Sequence, residues 1–310
     1  MMIAMRLGIV TPVVNLNPRF DPARWEVEGG IDDVVTVAQA AERLGYRWVS
    51  CPEHIAIPEG VAEARGGRYW DPLTTLSFVA AATTTIGLLS HVLVLGYHHP
   101  LEVVKRYGSL DVASGGRVIL GVGVGSLEAE FDLLGAPFAD RGARADDAIR
   151  AIRASFGRRM PSYAGTHYRF EGFVVEPSGA HADVAIWVGG RTRRSLRRAA
   201  ELGDGWIPFG LDADGLRAVL SDADAHAAVS SRAPGFDVVL APEPPLDPAG
   251  DPDGAAGAVR AYAALGATGL ALRFRHQSRA HYLEQLEAMT AVVRSVNGAG
   301  DSDGGKVAPS

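Results

Sequence analysis

Eight short apolar runs alternate with longer stretches whose apolar residues recur at helical spacing, and this alternation constrains the fold more than any other feature of the chain. The runs are Leu7 to Val10, Trp48 to Cys51, Ile86 to Leu95, Val118 to Val122, Val184 to Val188, Gly205 to Pro208, Phe236 to Leu240 and Leu270 to Phe274. They read as strands buried on both faces. The clearest amphipathic stretch is Ile31 to Leu44, where Ile31, Val34, Val35, Ala38, Ala41 and Leu44 share a face and Gly45 stops the helix. Other helices are expected to begin near Pro72, Leu101, Ala143, Ser195, Ala213, Gly254 and Ala280. Eight strand-helix units predict a closed parallel (β/α)8 barrel, the TIM-barrel architecture. An open doubly wound sheet usually has fewer strands and a glycine-rich first turn, whereas this first strand ends in Thr11-Pro12.

The 310 residues, 47% hydrophobic, suit one large core, so residues 1–296 are expected to form a single domain. Asn297 to Ser310, rich in Gly, Ser and Asp, is expected to be a disordered tail. Two insertions fit no unit of the repeat. Pro58 to Tyr69 follows strand 2, and Met160 to Ala182 follows strand 4, with Tyr168 to Val175 reading as a small hairpin; both are expected to cover one end of the barrel. The lone Cys51 excludes an intrachain disulfide and an all-cysteine metal site, and fits a reducing compartment such as the cytoplasm. A net charge of -6 gives no footprint for nucleic acid, and no apolar run approaches the ~18 residues of a membrane span.

Active sites of such barrels lie at the C-terminal ends of the strands, which singles out the polar residues just after each one. Glu53-His54 follows strand 2: a carboxylate beside an imidazole can move a proton, although such a pair is equally often a solvated loop. Ser90 and His91 interrupt the apolar third strand, so they must be satisfied in the core or line a cavity. His98-His99 lacks a third ligand at recognisable spacing, so no metal site is expected. Gly121, Gly123, Gly125 and Ser126, followed by Glu128 and Glu130, form a loop that lets a ligand approach the backbone. The G-x-G-x-G spacing is not that of a dinucleotide fingerprint. Gly189, Gly190, Arg191 and Thr192 precede a helix bearing Arg193, Arg194, Arg197 and Arg198, the ingredients of a phosphate site, although the later arginines also fit a solvated face. Cys51 has no evident base and reads as an inert buried thiol.

Several runs in register then add to this reading. Gly87 to Pro100, Ser109 to Gly125, Glu130-Phe131 to Leu134-Gly135 with Pro137-Phe138 and Arg141-Gly142, Ile186 to Gly190, and Gly203 to Pro208 resemble the ordered signatures of luciferase-like flavin and deazaflavin oxidoreductases. The chain is most similar to the F420-dependent branch. That resemblance implies coenzyme F420 at the barrel mouth, hydride transfer at its C5 to or from a small-molecule substrate, and a homodimer. It implies His54 as the proton donor or acceptor held by Glu53, and Ser90-His91 at a bulge that often carries a non-prolyl cis peptide and backs the ring. The two glycine loops, with Ser126, Arg191 and Thr192, match those around the ribityl and phosphate portion. Glu53 stands where Asp is more usual, Ser126 where Trp or an acid is frequent, and Gly96-Tyr97-His98-His99 where Pro-Tyr-Arg is common. The alternatives are an FMN-dependent luciferase-like monooxygenase and a barrel that binds flavin or deazaflavin without turnover. A cofactor-free isomerase would leave both glycine loops unexplained.

Overall fold

A computed structural model describes residues 5–221, 229, 231 and 235–299. Eight parallel strands close a ring: β1 (Arg6–Val10), β2 (Trp48–Cys51), β3 (Gly87–Ser90), β4 (Val118–Gly123), β5 (Ala185–Gly189), β6 (Gly205–Ile207), β7 (Asp237–Leu240) and β8 (Gly269–Leu272). Neighbours in sequence are neighbours in the ring. The last strand closes on the first, with Arg6 opposite Gly269. Each strand is followed by one of the expected helices, Ile31–Arg43, Pro72–Ala82, Pro100–Ser114, Arg141–Ser155, Arg193–Leu202, Ala213–Leu220, Pro252–Ala264 and Arg279–Ala299. The chain is a (β/α)8 barrel. The segment expected to trail off from Asn297 begins inside the last helix, and residues 300–310 lie outside those described.

The lumen is filled by Val10, Trp48, Leu89, Trp187, Ile207, Val239 and Ala271, with the two indoles meeting edge to face at 5.1 Å. Neither indole N–H has a hydrogen-bond partner, so packing alone holds the pair. Room for two indoles comes from strand residues without side chains. A methyl group at Gly8 would overlap the Trp48 ring, and one at Gly269 or Gly205 would stand 2.8 Å from Trp48 or Trp187. A second, larger core lies between strands and helices.

Three expectations are corrected. The third strand is not continuous from Ile86 to Leu95: it stops at Ser90, passes a cis His91–Val92 peptide, and resumes as Leu93–Val94 beside β4 before a 3-10 turn at Leu95–Tyr97. By then β2 has ended, and the carboxylate of Glu53 takes its place as acceptor for the Val94 N–H (2.7 Å). The insertion after β2 is not plain loop, since it contains the helix Glu59–Arg65. The insertion after β4 makes its hairpin from Tyr163–Ala164 and Arg169–Phe170, leaving Phe173 and Val174 exposed. It does not cap the barrel. It runs along the outer helices, from ring contacts with His99 to the neighbourhood of Gly116 at the opposite end of helix Pro100–Ser114.

The indole-glycine fit predicts that Gly8→Ala destabilises the protein by about 1–3 kcal/mol or more. Gly60→Ala, where nothing lies within 4 Å of the added carbon, should change stability by less than about 0.5 kcal/mol. Urea unfolding of both variants measures the contrast.

Candidate active site

The acid and histidine that are adjacent in sequence do not pair with each other. Glu53 lies buried on the helix side of β2, where one carboxylate oxygen accepts the Val94 N–H and the other meets Nε2 of His98 at 2.8 Å. His54 turns the opposite way. Its Nδ1 lies 2.7 Å from Oε2 of Glu130, a side chain with no solvent exposure.

Glu130 comes from the short helix Glu128–Leu133, just beyond the glycine loop of β4. Its Oε1 accepts the N–H groups of Ile55 (2.5 Å) and Ala56 (3.1 Å), and its Oε2 accepts the Tyr97 hydroxyl (2.7 Å). Burial alone would push this carboxyl up, but the Tyr97 and His54 hydrogen bonds and the Ala56 amide outweigh it and hold the group below the usual range. An ionised carboxylate only accepts, so Nδ1 of His54 carries a proton, and in the neutral ring Nε2 presents a lone pair. No described group hydrogen-bonds to that nitrogen. The ring stands edge-on to Tyr69 at 4.6 Å.

Glu53 is thus committed to protein partners rather than to His54. It fixes Val94 and His98, and the turn between them carries Tyr97 to Glu130. His98 also lies 3.6 Å from Glu102, whereas His99 is exposed and caps helix Pro100–Ser114 through Leu101 N–H. Cys51 is the inert thiol expected: burial pushes it up to about 12.

The Ser90-His91 pair also divides. Ser90 is fully buried and donates to the Gly121 carbonyl at 3.0 Å, which leaves it no proton to offer a ring in the mouth. His91 faces the lumen, where Nε2 is buried without a partner. Burial, followed by the charge of Arg273 from the strand three places around the ring, lowers its pKa to about 4, so the imidazole is neutral.

The glycines expected to admit a ligand serve first to admit protein. Gly121 lies against the Ser90 carbonyl, and a methyl group at Gly123 or Gly189 would stand 2.5 Å from the Val92 side chain beside the cis peptide. Gly125 (φ 77°) and Gly190 (φ 111°) need the left-handed region, and Ser126 is exposed beside the former. Thr192 and Ser195 form a reciprocal cap, each side chain accepting the other's N–H (3.2 and 3.1 Å). Arg191 is exposed, its guanidinium 6.0 Å from the Phe209 ring, and Arg198 is structural, bonded to Asp146 and the Gly142 carbonyl.

Two residues at the mouth carried no role in the sequence reading. Glu130 stands in the sequence as an acid beside the glycine loop and within a family-like run, neither of which assigns it a role. Arg273 follows β8 and continues its alternation into the lumen.

A closed barrel with a buried acid-imidazole pair above its strands invites comparison with known proteins, and the profile of the luciferase-like monooxygenases matches residues 5–301. The chain belongs to the luciferase-like monooxygenase family.

Within that family, an F420-dependent hydroxymycolic acid dehydrogenase of Mycobacterium tuberculosis is 29% identical over 206 residues, 65% of this chain and 54% of that protein. An FMNH2-dependent dimethylsulfone monooxygenase of Pseudomonas putida is 25% identical over 201 residues, 64% of this chain and 54% of its own length. The chain thus spans little more than half of each. A monooxygenase structure from Streptomyces bottropensis superposes with a TM-score of 0.71 over 94% of this chain and 99% of its own, at 21% identity, and so shares the fold. Luciferase-like proteins therefore include both F420-dependent and FMN-dependent members. No described helix is long and apolar enough to cross a membrane.

The Glu53–His98 pair predicts a pH dependence of stability. Burial pulls His98 below the ordinary 6.5, but the hydrogen bond it donates to Glu53 and the charges of Glu53 and Glu102 outweigh it, so the folded value is raised. The pair's contribution is complete below 6.5 and is lost as pH rises through the raised folded value. Relative to His98→Gln, wild type should gain about 1.5–3 kcal/mol at the acid end, shrinking with rising pH in paired thermal unfolding series.

Proposed function

We propose that the protein is an F420-dependent oxidoreductase that passes a hydride between the deazaflavin C5 and a small organic substrate, with His54 handling the accompanying proton. The observation that carries this reading is the open Nε2 of His54, whose Nδ1 is tied to the ionised Glu130. A bound deazaflavin supplies the hydride site, and the protein supplies orientation and proton traffic. The fit of this mouth to such a group rests on His91, a neutral ring whose buried Nε2 lacks a partner and needs one from a ligand. The exposed Ser126 and Arg191, with Gly125 and Gly190, would hold the anionic tail.

Oxidation of an alcohol releases a hydride from carbon and a proton from oxygen. His54 accepts that proton at Nε2, and Glu130 stabilises the resulting imidazolium across the 2.7 Å contact. In the reducing direction the same nitrogen returns it. Tyr97, pushed upward by burial and its bond to Glu130, remains a hydroxyl donor throughout.

The ordered motif resemblance and the mycobacterial F420-dependent relative support the deazaflavin. The pseudomonad relative favours a second reading, reduced FMN and monooxygenation, on the same residues. Parallel fluorescence titrations with F420 and FMN separate them: F420 should bind in the micromolar range, and micromolar FMN binding without F420 binding would overturn the choice.

His54→Asn should lower kcat by about 10²–10⁴-fold while F420 affinity changes only a few-fold. Glu130→Gln should lower kcat in the same direction, since the imidazolium loses its counter-charge. Undiminished turnover in His54→Asn removes that residue from the mechanism.

A further inference from the structure

Beyond β8 lies a cation that feels the charges of Glu26 and Glu243 without bonding to either. Gly269 and Ala271 face the lumen, so the strand's alternation carries Arg273 the same way, into a cavity whose lining includes Val10, Asn15, Phe20, Glu26, His276 and Tyr282. Its backbone is fixed, because the Leu246 N–H donates to the Arg273 carbonyl (3.0 Å) and the Arg275 N–H to the Leu246 carbonyl (2.8 Å). Its guanidinium is partly buried over the Phe20 ring at 4.4 Å. Among the described residues, no carboxylate pairs with it and no acceptor takes a hydrogen bond from it.

The other sheltered arginines are satisfied. Arg117 donates to the carbonyls of Ser114, Ala80, Thr83 and Ile86, and Arg153 to Leu202 and Asp204. The acids near Arg273 are engaged elsewhere: Glu243 with Arg19 at 2.7 Å, and Glu26 with the Ala23 N–H at 3.0 Å and His276 Nε2 at 3.5 Å. Five donors on a planar fork, held at the mouth and left without acceptors, match the geometry of a carboxylate or another oxyanion.

We propose that Arg273 anchors an oxyanion carried by the substrate, so that the enzyme acts on an acidic small molecule bearing a carboxylate, sulfonate or phosphate. This rests on the reading of the mouth as a hydride-transfer site. The guanidinium is partly buried against the Phe20 ring, and partial shielding from water strengthens a charge-assisted pair.

The test uses the full chain without cofactor and reads thermal unfolding in acetate, methanesulfonate or inorganic phosphate, at ionic strength matched with chloride, with acetamide as the neutral twin of acetate. At least one anion should raise the Tm of wild type above its chloride value and acetamide should not; which anion does so assigns the group. Arg273→Gln should abolish the shift, and Arg273→Lys, which keeps the charge but not the fork, should retain part of it. The affinities of Arg273→Gln for F420 and FMN should stay within about threefold of wild type. No anion-specific shift in wild type, an equal shift in Arg273→Gln, or loss of cofactor binding in that variant overturns the proposal, the last by giving the guanidinium to the cofactor. Failure of wild type to bind F420 or FMN would instead sink the function proposed above, while the anion result would stand.

Discussion

A carboxylate taken out of water must collect donors, and the top of this barrel is organised around two that do. Glu53 gathers a backbone amide and an imidazole, and Glu130 gathers two amides, a phenol and an imidazole. Because their donors come from the segments after β2 and β3, satisfying these charges fixes the path of the chain between the strands. The turn Leu95–Tyr97 sits where it does because His98 on one side and Tyr97 on the other are committed to different acids. His54 inherits its orientation from this arrangement. Removing either charge would disturb more than one loop.

Much of the fold was legible because it is periodic. Eight apolar runs and eight helical faces repeat with spacings that local physics dictates, and the structure returns them in that order around the ring. The end of the barrel where Glu53, His54, His91 and Glu130 gather was legible for the same reason, since strand ends in a barrel share one mouth. The pairings were not. His54 and Glu130 are 76 positions apart, and nothing in the spacing distinguishes that acid from the adjacent Glu53. Beyond the end of β2 at Cys51, the chain commits Glu53 to Val94 and His98 and His54 to Glu130, which separates the two.

The glycines show a different limit. As a pattern, Gly121, Gly123 and Gly189 suggest a ligand loop, yet their bare faces admit the Ser90 carbonyl and the Val92 side chain. A missing side chain records that something comes close, without recording whether it is ligand or protein. Arg273 was the reverse case. Counting two residues on from the lumen-facing Ala271 was enough to place it in the mouth, but its lack of acceptors depends on distant residues that only the fold brings near.

The two indoles on the barrel floor also govern traffic. With Trp48 and Trp187 at most 3% exposed and wedged against strand glycines, the lumen is a blind well, stoppered from below. Water or any small molecule that reaches His91 or Arg273 must therefore enter from the mouth. Closing that single opening would seal the well completely.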